Sequence, residues 1–262
     1  MPYNSQLRHL QEWFRRRIVR DGFIWRILMG AKQTTARWHG RRHRQNWDRA
    51  ATRFETLIDH HARRTPDFFF IQIGAHNGDM DDPIHRWAVQ HRWRGILVEP
   101  QPGPFAQLKA GYAELGDRLV FENIAIDRAE RTRPLYRVDP RWASTPEQTG
   151  LASFFPDRAL ATYAALNRLV SEPVQCLPFP RLLARHRVTK IDLLQIDTEG
   201  FDFEIIKMLD FAQCPPAIIH FEHRHLSRTE YAACLRLLSA HGYWHIEKEF
   251  DVASFQTALF PP

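Results

Sequence analysis

FFFIQIGAHNGDMDD, running from Phe68 to Asp82, changes character halfway along. Phe68 to Ile73 is a short run of aromatic and β-branched residues, the composition of a parallel strand covered on both faces. Gly74 and Gly78 then bracket Ala75, His76 and Asn77, and a G-x-x-x-G loop after such a strand lets the backbone turn sharply and approach a ligand closely. A dinucleotide fingerprint, G-x-G-x-x-G, is excluded because His76 and Asp79 hold its second and third glycine positions. Asp79, Asp81 and Asp82 crowd the turn where a pyrophosphate would need positive potential, so a cationic ligand is expected instead. Asp82 also reads as the cap of a helix starting at Pro83, which does not account for Asp79 or Asp81.

Outward from this stretch, Pro83 to Gln90 is expected to be a crossover helix and Gly95 to Val98 the second strand, closed by Glu99-Pro100. An acid at that strand end, 25 residues after Gly74, sits where nucleotide-binding α/β folds place the acceptor for ribose hydroxyls. Leu119 to Ile126, LVFENIAI, reads as a third strand interrupted by Asn123, whose amide either bonds an adenine edge beside Ile124 or turns the chain. Ile191 to Ile196 delivers Asp197, Glu199 and Gly200 at its carboxyl end, facing the same crevice as Gly74 and Glu99. Asp202, and to a lesser degree Glu199, also suits the first turn of a following helix. Ala217 to Phe221 is a fifth strand ending in Glu222-His223-Arg224-His225. Ser227 and Glu230 form a capping box, Gly242 stops that helix, and Tyr243 to Glu249 with Val252 to Leu259 make a terminal strand pair. The alternation of strand and helix predicts a doubly wound, mainly parallel α/β sheet. Arg131 to Val174 breaks the pattern and is expected as an irregular insertion, an acceptor-site lid or a variable loop, before a short strand at Val174 to Leu177.

The 262 residues suffice for one large domain and an appendage, burying roughly 70 to 75% of the unfolded surface. Cys176, Cys214 and Cys234 are odd in number and far apart, which points away from a disulfide framework or zinc knuckle and toward a reducing, cytoplasmic setting. No apolar run reaches the roughly 18 residues of a membrane span, and the N-terminus lacks the apolar core of a signal peptide. Residues 1–64 hold 15 Lys and Arg against 5 Asp and Glu, leaving 21 against 25 for residues 65–262. The basic arm interleaves Leu10, Trp13, Phe14, Ile18 and Ile24 with arginines, as expected of an amphipathic helix. Such a helix packs on its own domain, makes a peripheral contact with an anionic membrane, or touches nucleic acid. Nothing in the sequence sets an oligomeric state.

The runs IGAHNGD, VEP at 98–100, ENIAI at 122–126 and LLQIDTEGFDFEIIKML at 193–209 together make the sequence resemble the FkbM-type methyltransferases, over roughly residues 68–250. The resemblance implies the class I, Rossmann-like methyltransferase fold with seven strands, the last antiparallel, and S-adenosyl-L-methionine as cofactor. It places the methionine end of the cofactor on the loop of Gly74, Ala75, His76, Asn77, Gly78 and Asp79. Glu99 and Pro100 fall to the ribose, Asn123 and Ile124 to the adenine, and Asp197 to the reacting end. His76 departs from the small or amide residue common in the family. The arm lies outside the resemblance.

Charge agrees, since the cofactor is cationic at its sulfonium and amino groups while acids follow the loop. In-line methyl transfer needs the acceptor atom held about 3 to 3.5 Å from the methyl carbon. A hydroxyl of a glycan or small natural product also benefits from a base or a metal. Asp197, Glu199, Glu222, His223 and His225 are the candidates for that work, and some of them also suit a divalent ion, although their spacing carries no diagnostic metal motif. Two alternatives are a nucleic-acid methyltransferase guided by the arm and a non-catalytic module on the same fold. Against the first, Asp197-Thr198-Glu199 stands where an amino-methylating enzyme is expected to carry an Asn/Asp-Pro-Pro-aromatic turn.

Overall fold

The computed structural model describes residues 49–79, 82–143, 145, 148 and 150–262. Most of the basic arm, with Leu10, Trp13, Phe14, Ile18 and Ile24, and Asp81 lie outside the described residues. In chain order the strands of the main sheet are β1 (Phe69–Ile73), β2 (Arg94–Val98), β3 (Leu119–Glu122), β8 (Leu193–Ile196), β9 (Ile218–Glu222), β10 (Tyr243–Glu247) and β11 (Asp251–Gln256). Between β3 and β8 come β4 (Ala125–Ile126), β5 (Arg131–Val138), β6 (Ala152–Ser153) and β7 (Leu169–Leu177).

The main sheet runs β10-β11-β9-β8-β1-β2-β3, the class I methyltransferase order. β1 pairs in parallel with both β2 and β8, while β11 runs antiparallel to both its neighbours. The chain winds outward from β1 to β3 and then returns to β8 on the other side of β1, so the winding reverses at β1 and opens a crevice at the carboxyl ends. The central strands are buried on both faces, as continuous apolar runs require. Ile71, Ile73, Ile96 and Val98 face one core, and Phe68, Phe70 and Leu97 face the other. Phe54, Ile58 and Ala62, at helical spacing on a helix described over 49–64, join the second core, so residues 50–64 pack in the same compact unit as the sheet.

Two expectations are corrected. LVFENIAI is not one strand: β3 stops at Glu122, Asn123 and Ile124 leave the sheet, and Ala125–Ile126 begin a second one. The stretch 131–174 is not irregular throughout either, since β5 and β7 form a long antiparallel pair from Arg131↔Cys176 to Val138↔Leu169 inside a four-stranded sheet ordered β4-β7-β5-β6. Pro134 faces Pro173 in that pairing. Prolines argue against strands from sequence, but they are tolerated where the missing N–H would point to an open edge.

The capping box is present as read: Ser227 Oγ accepts from Glu230 N, and Glu230 Oε2 accepts from Ser227 N at 2.8 Å, at the start of the helix Arg228–Ala240. Among the described residues no helix is long and apolar enough to cross a membrane.

Candidate active site

Strand register sets the site. Ile73 pairs with both Val98 and Ile196, and Ile196 pairs with Phe221. The next residues along each strand, Gly74, Glu99, Asp197 and Glu222, therefore stand in a row along the sheet's carboxyl edge. Gly74 has φ +79, and a Cβ there would lie 1.7 Å from the Asp197 carbonyl oxygen, so only glycine lets these strand ends approach. Gly74 N and Ala75 N both donate to Val98 O, at 3.0 and 3.1 Å.

Glu99 is 3% exposed and ties the loop to β2. Its Oε2 accepts from His76 N at 2.9 Å, and its Oε1 accepts from Gln101 N at 2.8 Å. Burial pushes its carboxyl up to about 7, against the pull of those two backbone amides. Burial likewise holds the His76 imidazole below its usual range.

The other loop residues serve structure. Ala75 is buried, Asn77 Oδ1 accepts from Asp79 N, and Gly78 packs so tightly on Leu108 and Tyr112 that a Cβ would come within 2.8 Å. Asp79 is exposed and borders a separate 340 Å³ pocket beside Glu55 and Arg86. Asp82 Oδ1 accepts from Ile84 N and His85 N, and its Oδ2 accepts from Tyr112 OH. Asp82 therefore holds the turn ahead of the helix and is not its cap as expected: the helix starts at His85 rather than Pro83, and its N-cap residue is Ile84. Asn123 is exposed and donates its amide to the carbonyls of Glu99 and Pro100 at 2.8 and 3.0 Å, which is the turn-forming role.

Gly74, His76, Glu99, Pro100 and Ile124, from the β1–β3 side of the strand row, and Asp197, Glu199 and Glu222, from the β8–β9 side, line one cavity of about 630 Å³. That volume lies in the range of roughly 300 to 1,000 Å³ usual for small-molecule sites. The wall facing the sheet comes from Leu135, Leu151, Ala152 and Phe154, residues of the stretch read from sequence as an insertion. Gln101, Arg224, Phe250 and Asp251 also line the cavity and escaped the sequence reading. Nothing in their local pattern marks them, because the fold alone brings them to the crevice. Ala75, Asn77, Gly78, Asp79, Asn123, His223 and His225 lie outside this lining.

The acidic end is held from below and from the side. Asp202 is fully buried and accepts from Gly200 N and from Thr198 Oγ1, at 3.2 and 3.1 Å, fixing the turn after Asp197. Burial pushes its carboxyl up to about 6, with those donors opposing. From the second sheet Ser153 Oγ donates to Glu199 O at 2.7 Å, and from the turn after β6 Arg158 Nη1 donates to Gly200 O at 2.9 Å. Glu222 is pushed up to about 10, first by burial and then by the charges of Asp197, Glu199, Asp202 and Asp251. His225 Nε2 lies 3.0 Å from Glu199 Oε2 and 3.9 Å from Glu222 Oε2. His223 instead stacks on Tyr231, with ring centroids 4.6 Å apart.

The precorrin-6y C5,15-methyltransferase of Geobacter metallireducens shares 10% identity over 72% of this chain and 78% of its own, with a TM-score of 0.35. The fibrillarin pre-rRNA processing protein of Methanococcus jannaschii shares 13% over 72% and 67%, with a TM-score of 0.38. An S-adenosylmethionine-dependent methyltransferase of Geobacter sulfurreducens, solved with S-adenosyl-L-homocysteine, shares 14% over 76% and 65%, with a TM-score of 0.37. Likeness this distant says nothing about an acceptor. No curated protein matches the chain in sequence. Residues 72–244, well over half of the chain, match the methyltransferase FkbM domain. With that match and the strand order of its sheet, the chain belongs to the FkbM methyltransferase family.

Proposed function

We propose that the cavity binds S-adenosylmethionine and that the protein transfers its methyl group to a hydroxyl of a glycan or small natural product. The observation that carries this reading is the single cavity joining Gly74 and Glu99 at one end to Asp197, Glu199 and Glu222 at the other. The bound cofactor supplies an electrophilic methyl group on a cationic sulfonium.

Each oxygen of Glu99 spends one lone pair on a backbone amide and keeps another for a ribose hydroxyl. Ile124 offers an apolar face to the adenine, and the turn at Gly74 to His76 brings backbone close to the methionine portion. Asn123 contributes by holding the 99–100 turn, and Asn77, Gly78 and Asp79 contribute by shaping the loop. Asp197, beside Gly74, takes the acceptor's proton and sets the oxygen in line. A rim of carboxylates with the Phe250 ring suits a hydroxyl-rich acceptor, since carboxylates accept from hydroxyls and an aromatic face covers sugar C–H groups.

Calorimetric titration of S-adenosylmethionine into the wild type, Gly74→Arg and Glu99→Ala tests the assignment, with circular dichroism to confirm folding. Binding should be abolished in the first variant and weakened in the second. Wild-type affinity in both would remove the cofactor from this site.

A further inference from the structure

We propose that Glu199, Glu222 and His225 bind a divalent transition-metal ion at the acceptor end of the cavity. One donor atom from each residue lies within 4.8 Å of the other two. An octahedral ion with bonds near 2.1 Å places neighbouring donors about 3.0 Å apart and opposite ones about 4.2 Å apart. The 3.0 Å from His225 Nε2 to Glu199 fits neighbouring positions, and the 3.9 Å to Glu222 falls between neighbouring and opposite ones, nearer the opposite.

The hydrogen bonding makes the case independently of the spacing. Glu199 Oε2 and Glu222 Oε2 are both shielded from solvent, and neither accepts a hydrogen bond. This holds for Glu199 even though His225 Nε2 is only 3.0 Å away, so the imidazole and the carboxylate are close without being aimed at each other. Shielded carboxyl oxygens without a donor carry a desolvation cost that a bound cation would offset.

Basic side chains do not take the ion's place. Among the described residues neither carboxylate has a Lys or Arg within ion-pair distance. Arg158 is committed to Gly200 O and Glu230, and Arg224 lies over the Phe250 ring at 4.6 Å.

Two carboxylates with one imidazole suit a first-row ion such as Mn²⁺ better than Mg²⁺ or Ca²⁺, which favour oxygen alone. Three protein ligands leave positions open toward the cavity for the acceptor. In the step that rests on the proposed methyl transfer, the acceptor hydroxyl coordinates the ion through oxygen and gives its proton to Asp197. Its lone pair forms the O–CH₃ bond as the C–S bond breaks, and that bond's electron pair stays on sulfur as a neutral thioether.

Mn²⁺ titration of the full chain, followed by the loss of the free-ion electron paramagnetic resonance signal, tests the site without any methylation assay. The expected result is one saturable Mn²⁺ per chain. Binding should weaken at least tenfold in the isosteric Glu222→Gln and in His225→Ala, and stay at the wild-type level in Glu130→Gln, an exposed carboxylate outside the cavity. If His225→Ala does not fold, the Glu222→Gln comparison carries the test. No saturable binding by the wild type, or unchanged binding by folded Glu222→Gln, overturns the proposal. A parallel S-adenosylmethionine titration separates the two readings: cofactor binding without Mn²⁺ leaves only the methyltransferase assignment standing, and Mn²⁺ binding without cofactor leaves only the ion site.

Discussion

The two ends of the cavity are built on opposite principles. At the β1–β2 end the carboxylate and the strand-end carbonyl are already satisfied, although the buried His76 imidazole is not: Glu99 accepts from two backbone amides, and Val98 O takes two more from the glycine loop. At the β8–β9 end Glu199 and Glu222 present shielded oxygens with no donor. A satisfied end holds its shape before a ligand arrives and suits binding. An unsatisfied end leaves its oxygens open to a ligand or to a proton in transit. Binding and turnover should therefore separate when the two ends are altered in turn.

The largest expected separation is at Asp197. Asp197→Ala should lower kcat by about 10²- to 10⁴-fold, the usual worth of a positioned base, and leave cofactor affinity within about threefold. Steady-state kinetics beside calorimetry would show it, and equal loss of both would place Asp197 at the binding end instead. Next comes Gly74→Ala, where a methyl would press on the Asp197 carbonyl and the left-handed backbone adds about 1 to 2 kcal/mol of its own. A fall of several degrees in Tm together with loss of cofactor binding is expected.

Glu99→Ala should weaken cofactor binding about 10- to 100-fold, the worth of hydrogen bonds to a charged acceptor, with kcat at saturation little changed. The pH profile sharpens this point. The Glu99 carboxyl is raised from 4.5 to about 7, so in the folded protein it is protonated below that pH and a carboxylate above it. Ribose hydroxyls donate to the carboxylate, so affinity should rise about tenfold between pH 6 and pH 8, and Glu99→Gln should flatten the profile. Ionisation of Glu99 opposes folding of the empty protein, whose stability from this group should fall as pH climbs from 4.5 toward 7. The smallest effect is at Arg158. Arg158→Ala frees the Gly200 carbonyl and Glu230, and about 1 kcal/mol of stability should go with it, read by urea unfolding.

Legibility in the sequence follows how local each signal is. The seven-stranded sheet was readable because β1, β2, β8 and β9 are continuous apolar runs, each followed at its carboxyl end by a glycine or an acid. The β5–β7 sheet was not. RTRPLYRV and LVSEPVQCL are half polar, and each carries a proline that reads as a break until Pro134 and Pro173 are seen opposite one another. With that sheet hidden, the wall formed by Leu135, Leu151, Ala152 and Phe154 was invisible too. Within the site, Glu99 and Asp197 were legible because they end strands. Whether Asn123 faces a ligand or the chain depended on where its amide points, and side-chain direction at a strand exit has no signature in a single sequence. The closeness of His225 to Glu199 joins two loops 26 residues apart, a contact set by the β8–β9 pairing.

The central claim is that one cofactor spans the row of strand ends, and a crystal structure with S-adenosylhomocysteine tests it most directly. The account predicts ribose hydroxyls on Glu99, adenine against Ile124, and sulfur directed toward Asp197 and Glu222. A nucleoside bound anywhere else on the protein, with this crevice left to solvent, would contradict it.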